Sequence, residues 1–337
     1  MNKMKEERKR LIFSLVCVTV FCIVAITGCK KREHIPLPEV NTTEMIVVTP
    51  VSALASGTVI SVGAELKEKG ICWSESPSPT IKDNKATSYI YPYLITFEVL
   101  IDSLIPETKY YARAYATSIA GTGYGEELSF VTPLDISGEK GTVTDADGNV
   151  YPTIGIGAQI WMAENLKTTR FNDGAPIPEV SGRTAWNNRW TPAYCWYEND
   201  EESGRDIYGA LYNWFAVGTG KLCPIGWHVP DNTEWKALVT YLGGIKVAGG
   251  KMKVPGTQFW EQPNTGATNS SGFSGLPAGC RADYGEFYSK GVNLVLWTSS
   301  INNSTSAWCY VISAFSDDLE NHPKDSSTGY SIRCIKD

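Results

Sequence analysis

Residues 45–133 consist of short segments rich in Val, Ile, Thr and Tyr, in which apolar and polar side chains alternate, separated by clusters of Gly, Pro and Ser. A period of two sends successive side chains to opposite faces of a strand, and such frequent breaks leave no room for helices of ordinary length. This stretch predicts an all-β sandwich of roughly 90 to 100 residues. After Pro133 the composition shifts: ten of the eleven tryptophans lie between Trp161 and Trp308, and glycine density rises with them. A chain of 337 residues with 42% apolar content can bury two cores, so two modules are expected.

Within the first module, Leu104-x-Pro106-x-Thr108-x-Tyr110 followed by Tyr111-Ala112-Arg113-Ala114-Tyr115-Ala116 resembles the end of strand E and the start of strand F in fibronectin type III domains. The resemblance implies that the tyrosine hydroxyl bonds to upstream backbone. Trp73, in Ile71-Cys72-Trp73-Ser74, reads as an inward-pointing residue of a neighbouring strand. Gly121–Gly125 turns into a last strand ending at Thr132-Pro133. Cys72 has no partner within this module and reads as a small buried hydrophobe.

The first 28 residues have a different character. Lys3, Lys5, Arg8, Lys9 and Arg10 precede an apolar stretch from Leu11 to Ile26, which is short for a bilayer span of about 20 residues and reads as an export signal. It ends in Ile26-Thr27-Gly28-Cys29, which resembles the lipobox of bacterial lipoproteins. That implies cleavage before Cys29 and acylation of its thiol, hence anchoring without a transmembrane helix. Residues 29–40, with Pro36 and Pro38, read as a polar tether. The expected location is the cell envelope, with the outer membrane favoured. Surface-export signals of Bacteroidetes-type lipoproteins are acidic, whereas this chain continues Lys30-Lys31-Arg32-Glu33, which leaves the membrane face open. Residues 29–337 carry 25 Lys and Arg against 34 Asp and Glu, a net charge of −9 that gives no basis for binding nucleic acid.

The second module, residues 134–337, reads as α+β. Asp145-Ala146-Asp147-Gly148 predicts a hairpin turn; a calcium loop is the alternative, although the rest of its frame is missing. Asp231, with Glu234 three residues on, predicts a capped helix continued by Trp235, Leu238, Val239 and Leu242 and stopped at Gly243-Gly244. Ile207, Leu211, Trp214 and Phe215 predict another helix ending near Gly218. Strands are expected at Val292–Ser299, Ala307–Ile312 and Tyr330–Ile335.

Five stretches carry a further likeness: Trp161–Leu166; Tyr208–Trp214; Cys223-Pro224-x-Gly226-Trp227-His228-Val229-Pro230 with Glu234-Trp235; Asn264-x-Gly266-Ala267-Thr268-Asn269 with Ser271-Gly272-Phe273; and Ser331-Ile332-Arg333-Cys334. In this order they resemble the Fibrobacter succinogenes major paralogous (FISUMP) domain over residues 141–337. The pattern also resembles the C-type-lectin-like fold of formylglycine-generating enzymes. That likeness implies a Cys223–Cys334 disulfide, as in the long-range bridge of lectin-like folds. Cys280 with Cys309 is a candidate second bridge, leaving Cys195 over.

Little points to catalysis. The three histidines, His34, His228 and His322, fit no metal-site spacing. Gly272-Phe273-Ser274-Gly275 falls short of a nucleophile elbow, and neither Gly121–Gly125 nor Gly249-Gly250-Lys251 follows a phosphate-loop frame. Nothing beside Cys280 or Cys309 marks an activated thiol. Glu261-Gln262-Pro263-Asn264 is similar to the calcium and sugar motif of C-type lectins but lacks its Trp-Asn-Asp companion, and reads as a turn. The acidic runs Glu198–Glu202 and Asp317–Glu320 could hold calcium but read first as solvated faces; no cofactor is otherwise implied. Most tryptophans read as core, with sugar stacking as the alternative. The expectation is a non-catalytic envelope lipoprotein whose lectin-like module binds a glycan or a cell-surface protein. A structural component of an envelope or fibre assembly is the second reading, and an extracellular enzyme the third.

Overall fold

The computed structural model describes residues 35–89, 95–187 and 189–337. The stretch expected to be an export signal, Cys29, and the start of the expected tether, with His34, lie outside the described residues.

The first module packs two sheets. One contains β1 (Glu39–Val48), β2 (Ala53–Ser61) and β5 (Thr96–Ile101) in the order β1-β2-β5. The other contains β3 (Leu66–Ser74), β4 (Asn84–Ser88), β6 (Lys109–Ser118) and β7 (Gly121–Tyr124) in the order β4-β3-β6-β7, with β8 (Leu128–Val131) also on β6. The alternation in the sequence becomes alternation of burial: Phe97, Val99 and Ile101 of β5 point inward, meeting Ile71, Trp73, Ala112 and Ala114 of the opposing sheet. Tyr110 forms the expected corner, its hydroxyl accepting from the Ile105 amide at 3.1 Å. Cys72 is buried, and that burial raises its thiol to about 11. Chain direction fixes two poles. The start of β1, the end of β2 and the end of β6 share one, whereas the end of β8 leaves from the other, opposite Lys109.

The linker is not free after Pro133. Ile136 and Gly138 donate to Gly157 and Gly155 carbonyls, and Gly155 donates back to Glu139, so residues 136–139 extend the second module. That module has one sheet of β9 (Lys140–Thr144), β10 (Val150–Ile156), β11 (Gln159–Met162), β14 (Trp227–His228) and β20 (Ile335–Lys336), in the order β14-β20-β11-β10-β9. A second sheet orders β15 (Ala278–Arg281), β16 (Phe287–Lys290), β17 (Asn293–Asn303), β18 (Ser306–Ser313) and β19 (Leu319–Asp325) as β16-β15-β17-β18-β19. The short strands β12 (Tyr194–Cys195) and β13 (Leu211–Tyr212) pair separately. Six tryptophans, at 161, 186, 196, 235, 260 and 297, are at most 1% exposed, which makes the core reading right for them. Trp235 stacks on Tyr310 at 4.5 Å and meets Trp161 edge-on.

The helix Asn232–Tyr241 starts as expected. Asp231 Oδ1 accepts from the Glu234 amide and Glu234 Oε2 from the Asp231 amide, each at 2.8 Å. It stops where Gly243 and Gly244 take positive φ, conformations open to glycine at no steric cost. A second helix, Ile245–Met252, follows at once; its glycine pair had masked it in the sequence.

Two expectations need correction. The helix expected through Ile207–Gly218 is two helices, Glu201–Tyr208 and Trp214–Val217. Gly209 sits at φ +74°, where a Cβ would lie 2.7 Å from the Leu166 carbonyl oxygen, and Leu211–Tyr212 is drawn into pairing with Tyr194–Cys195. Tertiary pairing outweighs local periodicity here. The strand expected at Tyr330–Ile335 is regular only at its end; Tyr330 and Ser331 make single bridges to Tyr212 and Leu296.

Candidate functional site

The cysteines set the frame. Cys223 and Cys334 form a disulfide with Cα atoms 5.9 Å apart, closing 111 residues and tying the chain ahead of β14 to the approach to β20. Cys280 and Cys309 do not form the second bridge and are free, as is Cys195. Cys280 lies on β15 and Cys309 on β18, with β17 between them. Two strand spacings come to about 9.5 Å, beyond the separation of about 7 Å that a disulfide spans. Burial raises the Cys280 thiol to about 11 and the Cys309 thiol to about 12, the reverse of activation.

Between the helix Ile245–Met252 and β15 the chain runs with little regular structure, and buried cations hold it. Lys253, fully buried, donates from Nζ to the carbonyls of Thr265, Ser313 and Ser316 at 2.7–2.8 Å; desolvation lowers its pKa to about 8. Arg333 donates to Asn165 Oδ1 and to the carbonyls of Met162, Phe273 and Ser274, with its guanidinium over the Phe273 ring. Burial brings its pKa down to about 9. Asn264, of the lectin-like Glu261–Asn264 stretch, is buried and donates to the Val254 and Gly256 carbonyls, as the turn reading requires. The sequence reading missed Lys253 as a structural residue altogether. Arg333 was visible only as part of a signature.

This scaffold presents Asn269–Gly272 on one wall of a cleft of about 520 Å³ at the junction of the two modules. Ile154–Ile156, Tyr241, Leu242 and Lys251 form the floor and far wall; Val51 of the first module and Ser137-Gly138 of the linker complete it. Tyr241 is fixed from behind, its hydroxyl meeting Ser137 Oγ at 2.7 Å and Asp135 at 3.1 Å. Burial would raise the Asp135 carboxyl, but hydrogen bonds from Ser137 and Tyr241 outweigh it and the pKa falls. Lys251 Nζ donates to the Leu242 carbonyl, capping the preceding helix. Asn269 is locked by Ser274, whose amide donates to its Oδ1 at 2.8 Å. The cleft thus combines hydroxyls, an amide and one ammonium with aliphatic and phenol surface, a mixture suited to a polar ligand with apolar CH faces.

The other singled-out residues are engaged elsewhere. Asp145 accepts from the Asp147 and Asn149 amides and from the Tyr151 hydroxyl, while Asp147 accepts from Thr168 and Thr169 and pairs with Arg170. These bonds make the segment a hairpin turn, with Gly148 at φ +86°. His228 lies between Asp337 (2.6 Å) and Glu234 (2.8 Å), and His322 pairs with Glu320. Asp318 pairs with Lys246, and Glu201 with Arg205. Among the described residues no group of three or more His, Cys, Asp or Glu is placed to hold a metal ion. No described helix is long and apolar enough to cross a membrane. One tryptophan stands out by exposure: Trp190 is 57% exposed, its ring 5.9 Å from that of Phe215.

Comparison with curated proteins finds no match. Among solved structures, the sensor domain of the anti-sigma factor RsgI4 of Pseudobacteroides cellulosolvens is 16% identical, with a TM-score of 0.24, over 30% of this chain and 99% of that one. The third fibronectin III domain of human KIAA0343 protein is 16% identical, with a TM-score of 0.20, over 32% of this chain and 91% of that one. The FN1–FN3 domains of chicken CNTN1 are 13% identical, with a TM-score of 0.22, over 36% of this chain and 41% of that one. Residues 154–336, more than half of the chain and all of the scaffold around the cleft except the linker and Val51, match the Fibrobacter succinogenes major domain, and the chain belongs to that family.

Proposed function

We propose that this chain is a non-catalytic bacterial lipoprotein of the outer membrane, anchored through acylated Cys29, whose second module has a C-type-lectin-like arrangement and binds a glycan in the junction cleft. The observation that carries the reading is the cleft itself: the family's Asn264–Phe273 signature supplies one of its walls, held in place by the buried Arg333 and Lys253. Sugars offer hydroxyls to Asn269, Ser270, Ser271 and Lys251 and CH faces to Tyr241 and Ile154. No nucleophile stands beside a base there, and the free thiols are raised by burial rather than lowered, which argues for binding without turnover.

The test is a glycan array followed by calorimetric titration of the full chain, with Ser270→Phe to fill the cleft. Ser270 is exposed, so the fold should be unchanged and binding lost. Binding at full strength in Ser270→Phe would place the ligand elsewhere, and no binding to any glycan would refute the reading. Exposed Trp190 on Phe215 favours a second reading, a surface-protein partner, for which Trp190→Ala should abolish a crosslink formed in intact membranes.

A further inference from the structure

The pole of the first module at which β1 begins is apolar at its surface. Ile35, Leu37, Ile60, Val62, Ile95 and Ile119 are between 39% and 65% exposed. The strand pairings bring them to one end. Glu39 pairs with Ser61, Leu66 with Ser118, and the Val59 amide donates to the Ile95 carbonyl. The entering segment packs down on this end as well. A Cβ on Gly63 would lie 2.3 Å from the Pro36 carbonyl oxygen, and one on Gly121 would lie 2.8 Å from the Leu37 side chain. The last strand leaves from the opposite pole, and Val51, which touches the junction cleft, is there too. The apolar end therefore faces away from the second module.

We propose that this end docks onto the lipid bilayer that holds the anchor, so that the first module stands on the membrane as a foot rather than swinging on its tether. The proposal rests on the reading of Cys29 as acylated. Five residues separate Cys29 from Ile35, a reach of at most about 20 Å, so the acyl chains confine this end, and no other, to the neighbourhood of the headgroups. Aliphatic side chains on loop tips enter the boundary between headgroups and acyl chains, and Lys30, Lys31 and Arg32 beside the anchor add attraction to anionic lipid. Glu39 and Glu65 at the rim oppose deeper entry, which limits the contact to the tips. A foot of this kind would hold the junction cleft at a set height and direction above the membrane.

The test uses the full chain, recovered in lipidated form and reconstituted into vesicles of phosphatidylethanolamine and phosphatidylglycerol. A fluorophore is placed at Ile119→Cys, with Lys109→Cys at the far pole as reference. The native free thiols are raised by burial to about 11 or 12, so the introduced exposed thiol labels first. The label at 119 should shift to the blue and lose roughly half its emission to a quencher placed at the headgroup boundary, while the label at 109 stays unquenched. With the label at Ile60→Cys, adding Val62→Asp and Ile119→Asp should abolish quenching while the protein still sediments with vesicles. Equal, weak quenching at 119 and 109 on vesicle-bound protein overturns the docking. Failure to sediment at all overturns the acylation instead. A hexahistidine tag in place of Cys29, held on nickel-chelating lipid, then supplies the anchor without a second accessible thiol, and quenching at 119 in that arm decides the docking on its own.

Discussion

Replacing both Cys223 and Cys334 by Ala opens a loop of 111 residues without touching the strands around it. On the chain-entropy account, closing a loop of that length removes unfolded-state freedom worth about 5 kcal/mol at 25 °C. The two sulfurs are buried, so the small voids left by Ala add about 1 kcal/mol. For a module of this size each kcal/mol moves the melting temperature by about 2–4 °C, which predicts a fall of roughly 12–24 °C for the second module by calorimetry. The first module has no cysteine in this bridge, so its melting should stay in place and serve as an internal reference. Urea unfolding should also show a larger slope, because an uncrosslinked unfolded chain exposes more surface. A fall of less than about 1 kcal/mol, with unchanged slope, would refute the reasoning.

Three further outcomes follow from the geometry. Arg333→Met leaves the Met162, Phe273 and Ser274 carbonyls without their donor and should destabilise the second module by about 3 kcal/mol or more in urea, at about 1–3 kcal/mol for each unsatisfied buried acceptor, with Arg333→Lys restoring only part because it cannot fork. Tyr110→Phe removes the corner bond to the Ile105 amide and should cost the first module about 1 kcal/mol in thermal melts, with no effect on the second. For His228 burial alone would lower the pKa, but hydrogen bonds to Asp337 and Glu234 outweigh it and raise it above the ordinary 6.5. The stabilisation is therefore complete below pH 6.5 and lost as pH rises through the folded value. Urea unfolding should show a less stable protein at pH 8 than at pH 6, a difference that His228→Gln removes and salt weakens.

What could be read from the sequence was whatever local chemistry decides. The alternation in residues 45–133 became strand burial because each sheet has one face on the core, and a one-residue slip would have exposed the whole set. Tyr110 and the Asp231–Glu234 box were legible because each closes its bond within five residues of itself. The helix through Ile207–Gly218 failed because its periodicity was real but Gly209 and the pairing of Leu211–Tyr212 were stronger. The Cys280–Cys309 bridge failed for a different reason. Counting cysteines says nothing about strand order, and the insertion of β17 between β15 and β18 is visible only in three dimensions.

The cleft was not legible because its walls come from six separated stretches, but the way it is held explains why a family signature borders it. A chain that runs from Lys253 to Pro277 with little regular structure has carbonyls without ladder partners, and buried carbonyls need donors. Lys brings three donors and Arg five. Lys253 and Arg333 supply them to the Thr265, Phe273 and Ser274 carbonyls of this stretch and tie these to the Ser313, Ser316 and Met162 carbonyls elsewhere in the module. Because the cations grip backbone rather than side chains, the path of the loop does not depend on which residue stands at exposed position 270, whereas Ser271 Oγ donates to the Lys251 carbonyl and accepts from the Phe273 amide and so belongs to the scaffold. The exposed side chain on the cleft wall can then change while Arg333 and Lys253 keep the wall where it is. That division predicts that substitutions at Ser270 alter binding with normal melting, and that substitutions at Arg333 and Ser271 lower the melting temperature of the second module.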